Sequence, residues 1–173
     1  MTGTAVSAPL VTSILSGCST QVDTSGEFTP SFFRPGEFDL VSQLADAILP
    51  KTDSPAATEV GVDRIIDGIL SKVYESEDQA AYREGFAAMT SYLQAAGYDT
   101  MDSNGQLEVL RTLETSEGDE AARDAFRDLK QQTVAFYLST EEVSKDFLNY
   151  LPVPGPYEAC IPLSDVENKA WAL

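Results

Sequence analysis

The sequence predicts an all-α protein: a single compact helical domain of about six helices, flanked by an extended N-terminal arm and a proline-rich C-terminal arm. Three observations carry this. Apolar residues recur at helical spacing in successive stretches between residues 37 and 151. No stretch alternates at period two for long enough to require a sheet. Strong breakers such as Pro50, Gly97 and Pro152 fall at the ends of the stripes. With 173 residues, 43% of them hydrophobic, the chain is one domain's worth of material. It is able to bury roughly two thirds of its unfolded surface.

The first stripe, Leu40, Val41, Leu44, Ala45, Ile48 and Leu49, begins near Phe38 and stops at Pro50. After the loop KTDSPAATEVG, the positions Val62, Ile65, Ile66, Ile69, Leu70 and Val73 predict a second helix over about 62–74. A third, over about 77–96, carries Ala81, Tyr82, Phe86, Met89, Tyr92 and Leu93, and Gly97 supplies a left-handed cap. Ser103 and Gln106 have capping-box spacing ahead of a short fourth helix with Leu107, Leu110 and Leu113. The fifth, over about 118–138, places Ala122, Phe126, Leu129, Thr133, Phe136 and Tyr137 at helical intervals. Ser139 and Glu142 form a second capping box for a sixth helix striped by Val143, Phe147 and Tyr150 and ended by Pro152.

Composition removes whole classes of function. Eleven Lys and Arg stand against 28 Asp and Glu, a formal charge of −17, so a nucleic-acid partner is not expected. The chain has no histidine, which removes a His general base, Ser/His/Asp and Cys/His nucleophiles, imidazole zinc sites and CxxCH haem attachment. No GxGxxG follows a strand pattern and no GxxxxGK[ST] occurs, so no nucleotide or flavin fingerprint is present. Asp99, Asp102, Asn104 and Gly105 imitate a calcium loop but put Thr100 and Arg111 at its first and twelfth positions, so they are read as a turn and cap. The acidic run Glu114, Glu117, Asp119, Glu120, Asp124 and Asp128 is read as a solvated face, with Glu120–Arg123 and Asp124–Arg127 as local i,i+3 pairs. Tyr74, Tyr82 and Tyr92 are read as core. Catalytic, cofactor-binding and metal-binding residues are therefore not expected in this chain.

Residues 1–18 are uncharged and too diluted by Ser, Thr, Gly and Pro to span a membrane. They read as a signal-peptide remnant in which Leu15-Ser16-Gly17-Cys18 resembles the bacterial lipobox, making Cys18 a candidate for lipidation. An ordinary signal peptide and a disordered tail are the alternatives. No Lys or Arg precedes Arg34, so Met1 is expected to lie downstream of the natural start, or the chain to have been trimmed. The expected location is periplasmic, or membrane-associated on the extracytoplasmic side through a lipid anchor or a partner complex.

Residues 19–36 form an extended lead-in expected to lay Phe32 and Phe33 on some surface. Residues 152–173, PVPGPYEACIPLSDVENKAWAL, are too proline-rich for a helix and too apolar for a solvated linker. They either wrap their own bundle or complete an interface, with Pro152, Pro154, Tyr157, Ile161 and Trp171 as its contacts. Within this arm Cys160 is a candidate for an intermolecular disulfide; a buried free thiol and a Cys18–Cys160 bridge are the competing readings.

Several stretches in this order resemble one family: Leu44-Ala-Asp-Ala-Ile-Leu-Pro50-Lys-Thr-Asp-Ser-Pro55 with Val60-Gly-Val62, the block Phe126 to Ser139, and Tyr150-Leu-Pro-Val-Pro-Gly-Pro-Tyr157-Glu-Ala-Cys160 with Lys169-Ala-Trp171. They look like the gluconate 2-dehydrogenase subunit 3 family, the small gamma subunits of bacterial FAD-dependent sugar dehydrogenases, over most of residues 37–173. The resemblance implies a non-catalytic subunit with no cofactor of its own. Its partner would be a flavoprotein of the glucose-methanol-choline (GMC) type that carries FAD, and a multihaem cytochrome c usually takes the electrons. It also implies a role in maturation, stability and twin-arginine export of that flavoprotein, although this sequence has no twin arginines. In relatives the terminal cysteine bridges to the large subunit, and Cys160 matches that position by motif. The competing classes are a stand-alone acidic helical lipoprotein that binds a solute or surface partner, and a hydrolase using two carboxylates.

Overall fold

The structure, a computed structural model, describes residues 28–153, 155, 156 and 160–172. Residues 1–27, with Cys18, and the arm residues Pro154 and Tyr157 lie outside the described part. Among the described residues there are six α-helices and no strand: α1 (Pro35–Ile48), α2 (Val62–Lys72), α3 (Ser76–Ala95), α4 (Ser103–Glu114), α5 (Glu120–Ser139) and α6 (Glu141–Asp146). Short 3₁₀ turns occupy Tyr98–Thr100 and Leu163–Val166. The helical domain read from the sequence is thus present, with α5 at its centre, touching each of the other five helices.

The α5 stripe falls where its period places it: Ala122, Phe126, Leu129, Thr133 and Tyr137 are all buried. Thr133 is tolerated there because its hydroxyl donates to the Leu129 carbonyl one turn back, at 2.8 Å. Against this helix pack Val41, Leu44 and Ala45 of α1, Val62, Ile66 and Leu70 of α2, Phe86, Met89 and Leu93 of α3, and Leu110 and Leu113 of α4. Helices α3 and α5 approach closely at Gly85, where an added Cβ would lie 3.2 Å from that of Ala125. Gly97, at φ +73°, ends α3 as expected, since only glycine takes that conformation without strain.

Local chemistry corrected several boundaries. Helix α1 starts at Pro35, ahead of the Phe38 where the stripe becomes visible, because Pro suits the first helical position and the Arg34 N–H donates to Glu37 at 2.9 Å. The cap of α4 is Asp102, whose carboxylate accepts from the Gly105 N–H at 2.9 Å. Ser103 is already helical, and the Gln106 side chain donates to the Tyr98 carbonyl. Ser139 likewise belongs to α5, and Thr140 stands at the N-cap of α6. Helix α6 stops at Asp146, before Pro152, because Asn149 leaves the helical path to pair with the chain's own tail.

The face of α2 is rotated from the one its apolar residues suggest. Ile65 and Val73 are exposed, whereas Asp63 and Asp67 are buried beside Val62, Ile66 and Leu70. Both carboxylates are held. Asp63 accepts from the Ser42 hydroxyl at 2.8 Å and the Arg64 N–H at 2.9 Å. Asp67 accepts from three successive backbone N–H groups of the lead-in: Ser31 at 2.7 Å, Phe32 at 2.9 Å and Phe33 at 3.0 Å. Of the two acidic pairs expected along α5, Asp124–Arg127 forms at 3.8 Å. Arg123 instead turns to Asp124 and to the Ser116 carbonyl.

Candidate functional site

Phe32 and Phe33 do not lie on a partner surface. They are 5% and 4% exposed and belong to the chain's own core, edge-on to one another and packed on Tyr82 and Phe86. Asp67 draws this turn of chain inward, and Arg83 fixes it from outside, donating to the Phe32 carbonyl at 2.8 Å while its guanidinium lies 4.1 Å over the Phe32 ring. The aromatic spacing was legible in the sequence, but the buried acceptor that turns it inward was not.

The C-terminal arm behaves differently. Past α6, Phe147 and Leu148 still pack against the core. Asn149 then forms a parallel bridge with Trp171: its N–H donates to the Ala170 carbonyl at 2.7 Å, and its carbonyl accepts from the Ala172 N–H at 3.1 Å. The 3₁₀ turn places Val166 inside, and the chain reverses through Glu167 and Asn168, both in the left-handed region. That reversal is held by the Asn168 N–H donating to the Leu163 carbonyl at 2.9 Å and by the Lys169 N–H donating to the Val166 carbonyl at 2.8 Å. The arm is therefore anchored at its far end while its apolar side chains face outward. Val153 is 82% exposed, Leu163 70%, Leu151 51% and Trp171 49%, and Tyr150 is also exposed.

Of the residues singled out in the arm, Pro152 is exposed, Ile161 is half-buried, and Cys160 is a free, exposed thiol. Tyr150, Leu151 and Val153 enlarge the outward-facing set beyond what the sequence pointed to. Their signal was the change from helical stripe to proline-bounded apolar run. Beside the arm's root, Lys145 bonds the Glu141 carboxylate, and that hydrogen bond and charge hold the lysine pKa up and the glutamate pKa down.

The stretch LADAILPKTDSP folds as a structural corner. The Asp46 carboxylate accepts from the Thr58 N–H at 2.9 Å and its hydroxyl at 2.8 Å, and the Tyr137 hydroxyl donates to the Pro55 carbonyl at 2.8 Å. The family model described as gluconate 2-dehydrogenase subunit 3 matches residues 35–155, which run from the first residue of α1 into the arm. The chain belongs to the gluconate 2-dehydrogenase subunit 3 family. No curated protein and no solved structure matches it. The family's name marks its members as subunits of a dehydrogenase complex. In this gluconate 2-dehydrogenase subunit 3 chain the family match spans all six helices and their corner. Among the described residues no helix is long and apolar enough to cross a membrane.

Proposed function

We propose that the chain is the non-catalytic small subunit of an FAD-dependent sugar dehydrogenase complex, and that it holds a GMC-type flavoprotein through its C-terminal arm during maturation, export and assembly. The observation that carries this reading is the outward-facing apolar arm, rooted by the Asn149–Trp171 bridge, on a chain of a dehydrogenase-subunit family. Large apolar side chains held at the surface by their own backbone gain most when a second protein covers them. The absence of histidine from the sequence fits a subunit whose part is surface, with sugar oxidation at the flavin of the partner.

Cys160 belongs to the same proposal. An exposed thiol in that arm is placed to form a disulfide with a partner cysteine, two thiols giving up two protons and two electrons to the thiol oxidants of an extracytoplasmic compartment. Export and lipidation at Cys18 complete the reading, as does a cytochrome c that would accept electrons from the flavoprotein. The test is co-expression with the flavoprotein, followed by purification through this chain and measurement of flavin absorbance. The full chain is expected to bring flavin at fixed stoichiometry, and deletion of residues 152–173 to abolish it. Equal flavin recovery after the deletion would refute the arm's role.

A further inference from the structure

We infer that the cleft between α3 and α5 is a docking site for a basic side chain, an arginine guanidinium or lysine ammonium, carried by a partner polypeptide. The cleft has a volume of about 830 Å³, and its walls include Tyr74, Asp78, Tyr82, Asp128 and Gln132. The rings of Tyr74 and Tyr82 stand perpendicular at 6.4 Å and give it an aromatic side. The Tyr82 hydroxyl and the Gln132 Oε1 are enclosed there, and neither has a hydrogen-bond partner. The Gln132 amide nitrogen reaches only the Tyr74 hydroxyl, at 3.3 Å. Polar atoms shut away unpaired are costly, so a groove that served only to pack two helices would carry apolar side chains here.

Charge decides what kind of group fits. All eleven Lys and Arg lie among the described residues, yet none forms an ion pair with Asp78 or Asp128. The charge of Asp128 acts on the Tyr82 phenol, adding to the upward pressure that burial places on its pKa, so the carboxylate lies close to the aromatic wall. A cation with several N–H groups would answer each feature, lying against the tyrosine rings and donating to the two carboxylates and to the unpaired oxygens behind them. An anion would be repelled, and an apolar side chain would strand the carboxylates. A protein of net charge −17 whose own cations are committed elsewhere must take this cation from outside. Assigning it to the dehydrogenase partner rests on the function proposed above; the cation chemistry does not.

The direct probe is N-acetyl-arginine amide titrated into the full chain, followed by nuclear magnetic resonance of the Gln132 side-chain amide and the Tyr74 and Tyr82 rings. N-acetyl-citrulline amide serves as the uncharged near-isostere. Saturable shifts centred on the cleft are expected, at least tenfold weaker with the citrulline compound and at least fivefold weaker in Asp78→Asn/Asp128→Asn. The control Glu108→Gln/Glu141→Gln, which removes two carboxylates elsewhere, should bind as the parent does. Equal binding of the two compounds, or indifference to the cleft substitutions, overturns the inference. In the co-expressed complex Asp78→Asn/Asp128→Asn should weaken flavoprotein affinity at least tenfold. If affinity is unchanged while arm deletion still abolishes the complex, the cleft is not the partner's docking site and the arm reading stands.

Discussion

Asp67 offers the sharpest test of how this domain is held together. Its carboxylate is 1% exposed and forms no salt bridge, so the three N–H groups of Ser31, Phe32 and Phe33 stand in for a counter-charge. Hydrogen bonds to charged groups contribute about 1.5–3 kcal/mol each, which would make the three together worth roughly 4–9 kcal/mol. The loss on mutation has a ceiling, however, because the lead-in can peel away and hydrate its N–H groups. Peeling forfeits the burial of Phe32 and Phe33, about 1.5–3 kcal/mol per ring. The expected cost of Asp67→Ala is therefore about 3–5 kcal/mol.

Asp67→Asn separates charge from shape. Oδ1 serves both Phe32 and Phe33, while Oδ2 serves Ser31 alone. An asparagine can keep the first two bonds only by turning its NH₂ against the Ser31 N–H, donor against donor, so a loss of about 2 kcal/mol is expected. Urea unfolding followed by far-ultraviolet circular dichroism measures both variants, and hydrogen exchange at Phe32 and Phe33 reports whether the strap has opened. Variants within about 0.5 kcal/mol of the parent, with those amides still protected, would refute the reasoning.

Burial, with the charges of Tyr74 and Asp128, raises the Tyr82 pKa in the folded chain. Below the free-phenol value of about 10 both states keep the proton and stability is complete; above it the unfolded chain ionises first, so stability falls as pH rises, by at most about 1.4 kcal/mol per pH unit. Tyr82→Phe should flatten that alkaline limb in urea titrations between about pH 9 and 11, without lowering stability at pH 7, because the hydroxyl it removes is unpaired. An unchanged limb would count against burial of the phenol. At the start of α4, Asp102→Ala should cost about 1 kcal/mol in the same assay, while Ser103→Ala should stay within about 0.5 kcal/mol. The reverse order would restore Ser103 as the cap.

The corrections share a physical pattern. Helical stripes are local, so Val41, Leu44, Phe126, Leu129 and Leu110 could be assigned to the core from spacing alone. The α2 stripe misled because hydrophobicity cannot foresee a carboxylate that is buried to bind backbone 34 to 36 residues away. Capping boxes misled because Asp102 and Ser103, like Ser139 and Thr140, are adjacent residues that both suit the position, and only backbone geometry chooses between them. Tyr82 and Gln132 were placed on helices correctly, but their unpaired atoms exist only where α3 meets α5.

The sequence by itself determined that this is a helical, histidine-free, strongly acidic chain, that its helices lie about where they do, and that its ends are unlike its middle. Only the tertiary structure decided that the two ends differ from each other. One is drawn into the core by Asp67, and the other is rooted at Asn149 and Trp171 with its apolar side chains outward. Both ends read alike in sequence because composition records what a side chain would gain from burial, whereas whether a fold provides a buried acceptor to hold it depends on residues far away in the chain.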